Sequence, residues 1–95
     1  MIKRTLYFGN PAYLSLKLRQ LVVSKPGADD SKAEVVKTIP IEDIATIVLD
    51  CKQITITQAL LEELLEANCS VVTCDSTHMP TGLMLPLSGH TQQSE

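Results

Sequence analysis

Apolar and polar residues alternate through the first forty positions and then settle into one helical stripe. Lys3-Arg4-Thr5-Leu6-Tyr7-Phe8 predicts a first strand over 3–8, closed by Gly9-Asn10-Pro11. That tripeptide is turn chemistry, with glycine tolerant of positive φ and proline fixing the exit. Tyr13, Leu14, Leu16 and Leu18 then interleave with Ser15, Lys17 and Arg19, a period of two that predicts a strand over 12–18 with leucine inward. Gln20-Leu21-Val22-Val23-Ser24 follows at once and predicts a hairpin partner over 20–25, turning near Arg19 without an Asn-Gly signal.

The polar run 26–34 predicts a loop, and Val35 to Ile39 another strand. Pro40 opens a turn or a single helical turn. Ala45-Thr46-Ile47-Val48-Leu49 is nearly all apolar, as expected of a central strand buried on both faces. Thr55-Ile56-Thr57-Gln58 has the form of a capping box. Ile56, Leu60, Leu61, Leu64 and Leu65 then fall on one helical face and Glu62, Glu63 and Glu66 on the other, so an amphipathic helix should pack on a sheet. Asn68 suits the left-handed stop. Ser70 to Cys74 predicts a strand, 75–80 a loop, and Gly82 to Leu87 a short strand at an edge, because it contains Pro86. Residues 88–95 contain no apolar side chain and read as the start of a linker. The expected fold is α+β: mainly β with one amphipathic helix, a small β-sandwich or β-roll over 1–87.

Composition narrows the function. Ninety-five residues make one domain. One Phe, two Tyr and no Trp leave an aliphatic core and too few rings for a broad base-stacking platform. No apolar stretch is long enough for a transmembrane helix, and no apolar run follows Lys3 and Arg4 as a signal peptide requires. Three cysteines, an odd number with no C-x-x-C pair, fit reduced thiols of a cytoplasmic protein. The net charge of −3 divides unevenly: residues 1–37 carry +4 and residues 38–95 carry −7. A basic front and an acidic back fit one face near a phosphate backbone, or head-to-tail docking.

No catalytic constellation emerges. Cys74, Asp75 and His78 match no zinc spacing and lack a fourth ligand. Nothing in the sequence lowers the Cys74 thiol pKa for a nucleophilic pair with His78. Glu42 and Asp43 are adjacent and point apart on an extended chain, whereas acid–base or two-metal work needs converging carboxylates. The four glycines are scattered, so there is no phosphate loop. No catalytic, cofactor or metal residue is assigned. Two features stand out. Tyr7 and Phe8 arrive at a tight turn, where one ring or both pack in the core, or one wedges against a base pair or a partner. Lys3, Arg4, Lys17, Arg19 and Lys25 protect strand edges or, if they share a face, track phosphates. Tyr7, Phe8, Lys17 and Arg19 are the candidate DNA contacts.

The ordered series 5–16 (TLYFGNPAYLSL), 39–44 (IPIEDI), 47–50 (IVLD), 54–62 (ITITQALLE) and 71–86 (VVTCDSTHMPTGLMLP) resembles the N-terminal domain of the CRISPR adaptation integrase, the CRISPR-associated endonuclease of spacer acquisition, in its type II form. The resemblance runs the length of the chain. It implies a β-rich N-terminal domain that pairs into a homodimer. It also implies a helical C-terminal domain, beyond residue 95, holding Mg²⁺ or Mn²⁺ on Glu, His and Asp. None of those ligands is assigned here, and Glu42, Asp43 and His78 are not promoted to the role. Two such dimers would flank a dimer of a small ferredoxin-like partner protein and capture double-stranded DNA for insertion into the array. In another branch an aromatic beside the first glycine braces the duplex end, a role that would fall to Tyr7 or Phe8. The alternative is a free-standing β-rich protein-interaction module with no DNA role.

Overall fold

The computed structural model describes residues 3–25 and 35–87. The predicted loop at 26–34 and the predicted linker at 88–95 lie outside the described residues.

Two four-stranded sheets share one core. The hairpin β2 (Ala12–Lys17) and β3 (Gln20–Ser24) forms the centre of one sheet, with β4 (Val35–Pro40) antiparallel on one edge and β6 (Ile54–Ile56) parallel on the other. Lys17 pairs with Gln20, so Leu18 and Arg19 alone make the turn. Both have positive φ, 51° and 59°, the backbone of a type I′ turn. That twist matches the hairpin, but neither residue favours the left-handed region. The turn is held from outside: Ile41 N–H donates to the Arg19 carbonyl at 3.2 Å. The Arg19 guanidinium also meets Glu63 at 3.1 Å.

The other sheet runs β1 (Arg4–Phe8), β5 (Ile44–Leu49), β7 (Ser70–Cys74) and β8 (Pro80–Met84). The first three are parallel and β8 is antiparallel. After β5 the chain crosses to the other sheet as β6, adds helix α1 (Gln58–Glu66) and returns as β7. A register shift opposite Arg4 and Thr5 skips Ala45, so Ile44 and Ile47, three apart, both reach the core. The core is aliphatic: Leu14, Leu21, Ile39, Ile41, Ile44, Ile47, Leu60 and Leu64 are sealed from solvent. Cys69 is sealed with them, its thiol donating to the Ile44 carbonyl at 3.0 Å. Burial raises its pKa, which marks a structural thiol.

Four expectations change. Ile54–Ile56 is a strand, with Leu14 opposite Ile56, so the helix starts two residues later than the Thr55 box implies. Thr57 is the cap, its hydroxyl accepting from Leu60 N–H at 3.3 Å. Ile56 therefore leaves the helical stripe. β5 is central but not sealed on both faces: Thr46 and Val48 are half-buried, because helix and second sheet cover one side only. The last strand begins at Pro80 rather than Gly82 and ends before Pro86. Proline is tolerated as the first residue of an edge strand, where its missing N–H breaks no ladder. Residues 41–43 form the single helical turn expected after Pro40, of 3-10 type.

Candidate functional site

Because β1, β5 and β7 are parallel, their carboxyl ends finish side by side. Tyr7 and Phe8 come from the first, Asp50 follows the second, and Cys74 and Asp75 end the third. Parallel sheets commonly hold ligands beyond this edge. Alternation along β1 sends the two rings to opposite faces. Phe8 packs against the core, and Tyr7 stays 64% exposed. Tyr7 lies over Gly9: a Cβ on Gly9 would stand 2.8 Å from the ring's Cε2. The glycine is therefore needed for close approach.

Asp50 is the buried acid of this cluster, only 6% exposed. Its backbone N–H donates to the Phe8 carbonyl at 2.8 Å. The Tyr7 hydroxyl donates to Oδ2, and His78 Nδ1 lies 2.9 Å from Oδ1. The hydrogen bond from Tyr7 leads in holding the Asp50 carboxyl below its ordinary pKa, against the opposing effect of burial, with His78 adding to it. The same bond raises the Tyr7 phenol. An ionised carboxylate only accepts, so His78 carries a proton on Nδ1. His78 sits in a turn at φ 67°, its N–H donating to the Asp75 carbonyl at 3.0 Å. Asp75 builds that turn. Its Oδ1 accepts from the Thr77 hydroxyl at 2.6 Å, Thr77 N–H at 2.8 Å and Met79 N–H at 3.1 Å. Those bonds, the Thr77 hydroxyl foremost, lower its pKa.

The Cys74 thiol is pushed up by burial and then by Asp50 and Asp75. A nucleophilic thiol needs the opposite environment. Among the described residues no three His, Cys, Asp or Glu side chains converge as metal ligands. The described residues therefore do not fit the divalent metal that the family resemblance implies, which the resemblance places on ligands beyond residue 95.

The structure divides the four candidate contacts. Tyr7 and Phe8 stand by the start of β2, and Lys17 and Arg19 stand at its far end. Six strand residues separate them, roughly 20 Å at about 3.3 Å per residue. Arg19 is engaged with Glu63, while Lys17 is exposed. Two other lysines lie nearer the aromatic. Lys25 lines a groove with Tyr7, Phe8 and Gly9, and Lys52 lines the adjoining one with Asp50 and His78. Sequence reasoning passed over Asp50 and Lys52. The signal that could have found Asp50 was position: a carboxylate ending an apolar strand is placed where the sheet stops burying side chains. A larger groove of about 640 Å³ runs between α1 and the segment after β8, lined by Leu61, Leu65, Leu83, Leu85 and Leu87 among others.

Fold and site define a two-sheet α+β domain that presents an exposed tyrosine, hydrogen-bonded to a buried carboxylate, at the end of its parallel strands. The family model for CRISPR associated protein Cas1 matches residues 6–94, and the chain belongs to that family. It is 34% identical over 93 residues to the CRISPR-associated endonuclease Cas1 of Neisseria meningitidis serogroup C, covering 98% of this chain and 28% of that protein. Among solved structures, a Cas1 protein from Thermotoga maritima superposes with a TM-score of 0.67 at 15% identity, over 90% of this chain and 26% of that one. A partial Cas6-RT-Cas1–Cas2 complex gives 0.68 at 20% identity, over 87% and 23%. A Cas1–DNA complex gives 0.65 at 15% identity, over 87% and 28%. At these identities the solved structures share the fold. The chain spans about a quarter of the length of each relative.

Proposed function

We propose that this chain is the N-terminal, dimerising and DNA-positioning portion of a metal-dependent DNA endonuclease and integrase that acquires spacers for a CRISPR array. The observation that carries the reading is the family match over 6–94 together with its coverage: nearly all of this chain, but 28% of a relative named as an endonuclease. The Mg²⁺- or Mn²⁺-dependent step then belongs to the remainder of such a protein, and this portion supplies assembly and placement. A homodimer forms through this domain, a small ferredoxin-like protein joins it, and double-stranded DNA is held by the assembly. Solved complexes of the same fold, one of a Cas1 with DNA and one of a Cas1 with Cas2, support DNA and a second Cas protein as partners. The site of action is the cytoplasm. Among the described residues no helix is long and apolar enough to cross a membrane.

Duplex contact centres on Tyr7, with Lys25 and Lys52 beside it and Lys17 as a more distant phosphate contact. Anisotropy of a labelled blunt duplex tests this at several salt concentrations. Lys17→Glu should weaken binding across sequences and flatten the log–log salt slope by about 1 for each phosphate that is no longer neutralised. Lys25→Glu with Lys52→Glu should do so more strongly. Duplex affinity indifferent to all three would support a protein-interaction module with no DNA role. DNA cleavage by the purified 95-residue chain in Mg²⁺ or Mn²⁺, abolished by His78→Ala, would overturn the assignment of the chemistry to the rest of the protein.

A further inference from the structure

We infer that Asp50 is a positioning residue, which locks the exposed ring of Tyr7 into one orientation ready for its partner; this rests on the duplex contact proposed for Tyr7. A surface tyrosine ordinarily samples several rotamers, and a partner that needs one of them meets the cost of ordering it. Here that cost is met in advance. The ring is 64% exposed, yet its hydroxyl reaches down to a carboxylate whose side chain is only 4% exposed. The ring also lies over Gly9, where a Cβ would stand 2.8 Å from its Cε2 and push the ring aside. Rigid, amphipathic tyrosines are the residues that anchor binding surfaces at low entropic cost.

Asp50 is itself held. Its second oxygen takes the His78 Nδ1–H at 2.9 Å, and the Asp75-built turn fixes His78. The groups around the carboxylate are Tyr7 from β1, Cys74 from β7, and Asp75 and His78 from the turn before β8, with Cys51 and Lys52 following it in the chain. Loss of the carboxylate would release the Tyr7 ring and the His78 side chain, while the Asp75 bonds keep the turn. Without this link, a buried acid among the carboxyl ends of three strands has no role in the packing of the core.

The test uses the 95-residue chain carrying Tyr13→Phe, so that Tyr7 is the single phenol. Ultraviolet titration should show its ionisation moving down toward the ordinary tyrosine range on Asp50→Asn. Duplex affinity should fall by roughly three- to tenfold in Asp50→Asn and equally in Tyr7→Phe, which keeps the ring and loses the tether. The double variant should be no weaker than either single one, because both remove the same link. Asp50→Asn that frees the phenol but leaves duplex affinity at wild-type level would overturn the inference. Additive losses would overturn it too. If Asp50→Asn does not fold, Tyr7→Phe decides: unchanged affinity overturns the inference. Tyr7→Ala binding as wild type sinks the Tyr7 contact and this inference with it but leaves duplex binding by the domain standing, whereas a wild-type chain that binds no duplex sinks the functional reading beneath both.

Discussion

At the scale of single residues, the Tyr7–Asp50 bond gives the protein a pH signature. The folded Asp50 carboxyl titrates below its ordinary 3.8, so its contribution is fully present above that value and is lost as pH falls through the lower folded one. The folded Tyr7 phenol titrates above its ordinary 10.0, so its contribution is present below that value and is lost as pH rises through the higher folded one. The thermal midpoint of wild type should exceed that of Tyr7→Phe by a constant margin across the neutral range, and the margin should vanish at both extremes. A margin that changed between about pH 5 and 9 would contradict the two directions. The alternation of β1 made the split between Phe8 and Tyr7 legible, since consecutive strand residues face opposite ways. It did not show which ring went inward. That depended on which face of β1 the second sheet and the helix cover. Nor could sequence join Asp50 to His78, 28 positions apart.

Elements carry their own tests. Helix α1 opens on the Thr57 hydroxyl and closes on Asn68, at φ 67°. At the closing end Cys69 N–H donates to the Leu64 carbonyl at 2.9 Å and Asn68 N–H to the Leu65 carbonyl at 3.1 Å. These are the paired hydrogen bonds of a Schellman stop. Thr57→Ala should cost about 1 kcal/mol in chemical denaturation. The hairpin turn runs the other way. Leu18 is 85% exposed at φ 51°, so it meets the strain of the left-handed region and gains little from burial. Leu18→Asn should stabilise the chain by a few tenths to about 1 kcal/mol, since asparagine favours that backbone in a type I′ turn. Arg19 is less informative for stability, because its pairing with Glu63 joins one side chain 80% exposed to one 21% exposed, and such pairs contribute under about 1 kcal/mol. Hairpin, helix stripe and helix stop were all legible, because each is written in neighbouring residues. β6 was not. Ile54-Thr55-Ile56 alternates as a strand does, but three residues beside a capping signal read as a helix start until β2 is seen to pair with them.

For the whole molecule, one aliphatic core serves both sheets. Truncating Leu21 or Leu64, each sealed in it, should cost about 2–5 kcal/mol and lower the denaturation midpoint without changing which sheet forms. Apolar side chains also remain outside: Val35 and Val36 on the edge strand β4, and Leu83, Leu85 and Leu87 on and after β8. The proposed homodimer needs such surface. Sedimentation should show a dimer, and Leu83→Asp with Leu85→Asp should shift it to monomer if the β8 side forms the contact. Dimers unaffected by that pair would place the contact on β4 or elsewhere.

The sequence by itself determined the parts that depend on local periodicity: an α+β chain, a hairpin, one amphipathic helix with its stop, an aliphatic core and an uneven charge. Its ordered motifs also carried the family. What only the tertiary structure decided was every relation across distance. Parallel pairing of β1, β5 and β7 follows no local pattern, because such strands are joined through other elements and nothing in either strand marks its partner. That pairing puts Tyr7, Asp50 and His78 together, and the length of β2 sets Lys17 and Arg19 apart from them. Residue identity named Tyr7, Lys17 and Arg19 as candidates, and strand direction set the unnamed Asp50 beside the first of them and the other two far away.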